Sequence, residues 1–311
     1  MSNINPIGIY SGYALPTKLV EQSPRRGYQC ADLKQLEATH IQTRIRRIGR
    51  NTRMALCGAV ACIQQSTIQP NVQDMGIFLG TALGPISELL YCNMQMTPAL
   101  NLTPSPIRFS NSVSNAAPFT IAKHLGSVGT HVTLAQEDHS FEAACLSAML
   151  SLQTGDVKHA LVGGCDEFVI DTQEWNRQHH YPNNSLPGEG SGWLLLGPDS
   201  PAAHATLLQI EWLPVDQPWK ALTNTLASLR HEDEPLTYLQ GLRITDTAQQ
   251  ALPQGQWIEY LPETGWFPTA SSYGILYALQ QNKHTGLTVH LCQNALGRNV
   301  ACIIRQRASK T

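Results

Sequence analysis

Short apolar runs rich in β-branched residues alternate along this chain with segments of helical length, a rhythm that few folds accommodate. Runs at 6–9, 75–79, 131–135, 160–162 and 192–196 have the length and composition of strands, and 52–65, 114–124 and 140–152 those of helices. A second series keeps the same order: runs at 205–212, 236–239 and 257–261, a helix over 271–281, then runs at 287–292 and 300–304. The alternation predicts an α/β layered fold, and the repeated order predicts a duplicated βαβ unit, although no letter-by-letter repeat accompanies it. The segment 52–65 (TRMALCGAVACIQQ) is small and apolar on nearly every side, which fits a helix enclosed between sheets. Polar, proline-containing stretches at 171–188 and 231–235 read as loops, and 200–203 as the turn between halves.

Composition narrows the partners. Only 14% of the residues are charged, against roughly 25% in ordinary soluble domains, while 42% are hydrophobic. A surface so poor in charge predicts a large face covered by another protein. The net charge is -2 and no basic stripe interleaved with aromatics occurs, which argues against nucleic acid. Eight cysteines form no CxxC pair and mostly sit in apolar stretches, as buried thiols of a reducing compartment do, so no zinc or iron-sulfur site follows. The opening MSNINPIGIYSGYALP has neither a basic n-region nor a long apolar h-region, and no run of about 18 apolar residues occurs. A cytoplasmic chain without a membrane span is expected.

Several isolated residues invite chemistry that their spacing does not support. His139 and Cys145 would not share a helix face. Cys145 and Cys165 read as small buried apolar residues. His179 and His180, with His159 and His204, lack a metal-ligand spacing. The stretch GEGSGWLLLG at 188–197 runs into a strand and lacks the Lys-Ser/Thr ending of a phosphate loop.

Five separated stretches, in order, carry a family resemblance: RRIGRNTRMAL (46–56), GIFLGTALG (76–84), SNAAPFTIAKHLG (114–126), LQTGDVKHALVGGCDEF (152–168) and GEGSGWLLLG (188–197). Together they resemble the β-ketoacyl synthases, thiolase-fold condensing enzymes of fatty acid and polyketide assembly. The resemblance implies a thiolase-like layered α-β-α-β-α fold with duplicated halves, 1–199 and 200–311, in one compact unit. The chain is shorter than is usual for that family, mainly after residue 166, so the second half is expected to be trimmed.

An active family member holds its nucleophilic cysteine at a strand-to-helix turn, where the helix N-terminus favours the thiolate. Counted back from Gly155 at the family's spacing, that place falls on Asp138. An ionised carboxylate is a far poorer acyl acceptor than a thiolate. Asp138 therefore reads as an N-cap, as polar lining of a vestigial pocket, or as a relocated chemical group. The family's first catalytic histidine lies in an HGTGT-like stretch, matched here by YLQGLRITD with Gln240 in its place. The second matches GWFPTASSYG, with Trp266 in its place, most simply as pocket filler. The glycine-rich oxyanion turn of active members reads CQNALGRNVA, keeping Gly297 and Asn299 but carrying Asn294, Leu296 and Arg298. Side chains at former glycines hinder close backbone approach. Nucleophile, both bases and oxyanion turn are altered together, which implies a subunit that does not condense and needs no cofactor or metal.

This combination resembles the chain-length factors of type II polyketide systems, and most nearly the ketosynthase-like partner subunit of aryl polyene assembly. Better-known chain-length factors put a glutamine at the nucleophile's place; here the glutamine, Gln136, lies two residues earlier. The resemblance implies a heterodimer with a catalytic ketosynthase, acting on an acyl carrier protein with a phosphopantetheine-bound chain. The interface strand would comprise His131, Val132, Thr133, Leu134 and Ala135. Leu89, Arg108, Phe109, Val113 and Phe119 fall at tunnel-lining positions, with Phe109 as the leading gate, because a bulky side chain in a packed wall admits no further methylenes. Two other readings stay open. One is an active 3-oxoacyl synthase or acyltransferase using Asp138 with His139 or another relocated residue, and the other a purely stabilising subunit.

Overall fold

Each apolar run of the sequence forms a strand. The first half of the chain, in a computed structural model that describes residues 6–21, 24–43, 45–97, 103, 105–281 and 285–307, contains β1 (Ile7–Ala14), β2 (Thr17–Val20), β3 (Gly27–Cys30), α1 (Leu33–His40) and α2 (Arg50–Gln64). It continues with β4 (Gly76–Gly80), α3 (Ile86–Gln95), α4 (Pro106–Asn111), α5 (Ala116–Leu125), β5 (His131–Leu134), α6 (Ser140–Thr154), β6 (Ala160–Asp166), α7 (Thr172–Gln178) and β7 (Gly190–Pro198). The second half comprises β8 (Ala205–Trp212), α8 (Pro218–Leu229), β9 (Leu236–Gln240), α9 (Asp246–Ala251), β10 (Gln256–Glu259), α10 (Leu261–Thr264), α11 (Ser271–Gln281), β11 (Gly286–Gln293) and β12 (Asn299–Gln306).

Ten strands form one mixed sheet in the order β10-β9-β11-β12-β8-β1-β7-β6-β4-β5, with β2 and β3 as a separate hairpin. The two ends of the sheet repeat one plan. In the order β5-β4-β6-β7-β1 the first three strands are parallel and the last two antiparallel, and β10-β9-β11-β12-β8 does the same. A short β1–β8 ladder joins the halves. The duplicated order expected from the sequence is thus present strand for strand.

Alternate strand residues feed different layers, as the period-2 pleat requires. In β4, Phe78 faces the layer between the half-sheets, while Ile77 and Leu79 face outward. The inner layer holds α6 and α11, the outer layers hold α1, α2 and α5 on one side and α8 and α9 on the other, giving α-β-α-β-α. This corrects one expectation. Helix α2 is almost wholly buried, but it lies on the outer face of the first half-sheet under α1 and α5. Its small residues reflect that cover; the enclosed helices are α6 and α11. The stretch 171–188 also differs from a plain loop, because Asp171 accepts the Glu174 N–H (2.9 Å) and starts α7.

Contact at the start of α6 is close enough to require glycine: a Cβ on Gly80 would stand 2.3 Å from the Ser140 carbonyl oxygen. Three buried acids then fix the strand ends. Asp166 accepts from the Thr81 hydroxyl (2.8 Å) and the N–H groups of Ala82 and Leu83 (both 3.0 Å). Glu189 accepts from the Cys30 N–H (3.0 Å), the Phe168 N–H (3.3 Å) and the Arg50 guanidinium. Glu167 accepts the N–H of Asn51 in the first turn of α2 and, at 3.0 Å, that of Ser87 in the first turn of α3. One carboxylate thereby serves two helix N-termini, where the free amides and the dipole both favour negative charge. Among the described residues no helix is long and apolar enough to cross a membrane. Glu167→Ala orphans two buried donors and should lower stability by about 3 kcal/mol, read as a fall in the urea midpoint at unchanged slope.

Candidate functional site

Between β5 and α6 the chain makes a tight turn. Glu137 takes a left-handed φ of 50°, and the Ser140 hydroxyl accepts the Gln136 N–H (2.8 Å) while donating to the Glu137 carbonyl (2.6 Å). Asp138 follows, 4% exposed. It does not cap α6, whose flanking residue is His139 with no side-chain bond. Instead, Arg243 Nη1 donates to Asp138 Oδ2 (2.7 Å) and the Tyr181 hydroxyl to Oδ1 (3.1 Å). A carboxylate buried this deeply gains more from a guanidinium than from an exposed-type amide cap. Burial pushes the Asp138 carboxyl above its ordinary range, against the pull of Arg243 and Tyr181.

Arg243 occupies the loop after β9 with a φ of 56°. Its guanidinium also donates to the Gln293 carbonyl (3.2 Å) and the His179 carbonyl, and lies 4.8 Å from the Tyr181 ring centre. Behind it, Trp175, His179, Tyr181 and Trp266 pack in series at centroid distances of 4.4, 5.4 and 5.5 Å, His179 and Tyr181 stacked and the outer pairs tilted. Burial and the neighbouring Arg243 lower the His179 imidazole to about 4, so it stays neutral. Trp266 fills space in this series, and its carbonyl accepts from Trp175 Nε1 (3.1 Å). Gln240 turns elsewhere: it donates to the Ile244 carbonyl (2.9 Å) and accepts from Gln249 (3.3 Å). What remains is a cavity of about 290 Å³ bordered by Leu83, Asp138, His179, His180, Arg243 and Leu296.

The turn after β11 is internally bonded. Asn294 Oδ1 accepts the N–H groups of Leu296 and Arg298 (both 3.0 Å), and the Asn294 carbonyl accepts that of Gly297 (3.0 Å). Those amides are already engaged and do not point together at an incoming oxygen. All eight cysteines are buried. Cys292, whose Sγ lies 3.6 Å from the Asp138 carbonyl oxygen, is pushed well above the ordinary thiol range by burial. A thiol kept neutral is a weak nucleophile. His139, lowered to about 4 by burial, packs edge-on against Trp212 and offers Asp138 no base. Among the described residues, no cluster of three or more His, Cys, Asp or Glu could hold a metal ion.

A family model described as beta-ketoacyl synthase, N-terminal domain, matches residues 9–174, more than half of the 311. The chain belongs to the β-ketoacyl synthase family. No match to a curated protein is found. Among solved structures this family member is similar to the ishigamide ketosynthase/chain length factor, at 15% identity and a TM-score of 0.76 over 97% of this chain and 99% of that one. It is also similar to a type II PKS acyl-carrier protein complex with its ketosynthase bound to the hexaketide, AntDE:AntF (13%, TM-score 0.75, 97% and 99%). A beta-ketoacyl synthase from Burkholderia phymatum aligns at 11% identity with a TM-score of 0.77, covering 97% of this chain and all of that one (100%). These likenesses establish the thiolase-like fold.

Within that fold the segment His131 to Leu134, with Ala135 following, is β5, an edge strand of the sheet that pairs, among the described residues, only with β4. Gln136 is exposed beside it, outside the Asp138 cavity. The expected tunnel residues lie apart from Asp138. Phe109 (62% exposed), Phe119 (60%), Leu89 and Val113 project from α3, α4, α5 and the α4–α5 connection, and Arg108 bonds Glu88 (3.2 Å) while covering the Tyr91 ring at 3.7 Å. The site's decisive partners, Arg243 and Tyr181, escaped the sequence reading. The available signal was Arg243 itself, a charged residue at the second glycine of an HGTGT-like stretch. Arg243→Ala should cost about 3–5 kcal/mol by leaving a buried carboxylate unpaired, and adding Asp138→Ala should recover much of it, giving a large coupling in a double-mutant cycle.

Proposed function

We propose that this chain is a non-catalytic, chain-length-factor-like subunit that pairs with a catalytic ketosynthase and borders its acyl tunnel. The observation that carries the reading is the state of Asp138: the residue at the nucleophile's place is tied to Arg243 and Tyr181, and the oxyanion turn is closed on Asn294. An acid so held neither attacks a thioester nor finds an oxyanion hole to assist it. The partner would be a ketosynthase that keeps its cysteine and two histidines, working on an acyl carrier protein with a phosphopantetheine-bound chain. Polyketide or aryl polyene assembly is the setting, in the cytoplasm, without a cofactor. Residues 1–199 and 200–311 would act as one unit.

Support for pairing comes from the surface. The edge of β5 is open, and the exposed Leu90, Met94, Ile107, Phe109, Val113 and Phe119 are carried by neighbouring α3, α4 and α5 and the α4–α5 connection. An open strand edge and exposed apolar side chains each favour an interaction face. His131 to Ala135 would pair across a two-fold axis, and Leu89, Arg108, Phe109, Val113 and Phe119 would reach the partner's tunnel.

Co-expression with the ketosynthase encoded beside it should give a stable heterodimer, whereas expression alone should give self-paired or aggregated material. In the complex, Phe109→Ala should lengthen the product by at least one extension unit, seen by mass spectrometry. Unchanged lengths with an intact complex would leave a stabilising role in place of gating.

A further inference from the structure

Helix α4 has six residues, none of them buried, yet it carries Ile107 and Phe109 of the proposed interaction face. A helix this short does not persist in water by itself, and none of its side chains belongs to a buried apolar cluster. Polar ties hold it instead. Before its first turn the Ser105 N–H donates to Gln95 Oε1 (3.1 Å), and at its end Asn111 Nδ2 donates to the Arg47 carbonyl (2.8 Å). Between them Arg108 Nη1 donates to Glu88 Oε2 (3.2 Å), and the same guanidinium lies 3.7 Å above the centre of the Tyr91 ring.

The partners on α3 form a pattern. Glu88, Tyr91 and Gln95 are spaced i, i+3 and i+7, so they occupy one stripe of that helix, and the stripe grips α4. Glu88 is itself held: its side chain is mostly buried, and a Cβ on Gly49 would stand 2.9 Å from its Cγ, so the chain entering α2 closes against it. A guanidinium can bond a carboxylate at its edge while its flat face covers a ring, which the compact ammonium of lysine cannot do. Consecutive helix residues point about 100° apart. With Arg108 turned onto α3, Phe109 is turned outward, where it is largely exposed. Any roll or slide of α4 along α3 would carry Phe109 with it.

We infer that Arg108 is a positioning residue: by clamping α4 to Tyr91 and Glu88 it fixes where Phe109 stands, and so how sharply the product length is set. This rests on the reading of Phe109 as a gate. Beyond bordering the tunnel, Arg108 aims the side chain that fills it.

Two measurements separate the clamp from the gate. The first is amide hydrogen exchange of the full chain in the assembly in which it purifies. Arg108→Gln and Tyr91→Leu should each speed exchange of the amides of residues 109–112 by about tenfold, with α5 and β5 unchanged, and the double variant should exceed Arg108→Gln little. Unchanged exchange in Arg108→Gln would overturn the clamp. The second is the product of the complex with the ketosynthase, read by mass spectrometry. Arg108→Gln should spread the product over at least two lengths at unchanged yield of complex, Arg108→Lys should lie between it and wild type, and in a Phe109→Ala background Arg108→Gln should change nothing further. A single wild-type length from Arg108→Gln, beside a shifted length from Phe109→Ala, would overturn the positioning role. Lengths unchanged by Phe109→Ala would instead refute the gate, and exchange alone would then decide the clamp. If Arg108→Gln lowers the yield of folded chain, Tyr91→Leu, which leaves the ion pair in place, carries both measurements.

Discussion

An ion pair between Asp138 and Arg243 ties the two halves of the fold together at the turn between β5 and α6. Asp138 belongs to the first half and Arg243 to the second, and Arg243 and Tyr181 both donate to the buried carboxylate. Charge-assisted bonds of this kind contribute roughly 1.5–3 kcal/mol each, whereas an unpaired charge at such depth costs several. Once Arg243 occupies the loop after β9, the carboxylate is the residue that suits it, and the aromatic series of Trp175, His179, Tyr181 and Trp266 closes behind.

The frame that holds this site rests on different residues. Gly80 admits the start of α6, Glu167 serves the first turns of α2 and α3, and Glu189 binds Arg50 and the end of β3. None of them touches Asp138. With frame and site resting on separate residues, the residues around Asp138 can vary without disturbing the ten-strand sheet. The turn after β11 is likewise self-contained, because Asn294 Oδ1 takes up the N–H groups of Leu296 and Arg298.

The partly exposed β2–β3 hairpin (TKLV and GYQC) carries no apolar-run signal, whereas the ten strands of the main sheet were legible as short apolar runs. Helix α6 and helix α11 were equally plain. The layer assignment of α2 was not, because a helix covered by other helices and one enclosed between sheets bury the same small residues. Short helices such as α4 and α7 depend on local caps: Asp171 starts α7 and Ser105 starts α4, within stretches that otherwise look like loops. At the site, spacing singled out Asp138, but its partner Arg243 lies 105 positions away and meets it through the pairing of the two halves.

The most direct measurement is the intact mass of this chain during turnover of the reconstituted heterodimer with labelled acyl carrier protein. If Asp138 is held silent by Arg243, the label appears on the catalytic ketosynthase alone and the mass of this chain does not change. An acyl group recovered on any side chain of this polypeptide would contradict the claim that it shapes another subunit's chemistry without taking part in it.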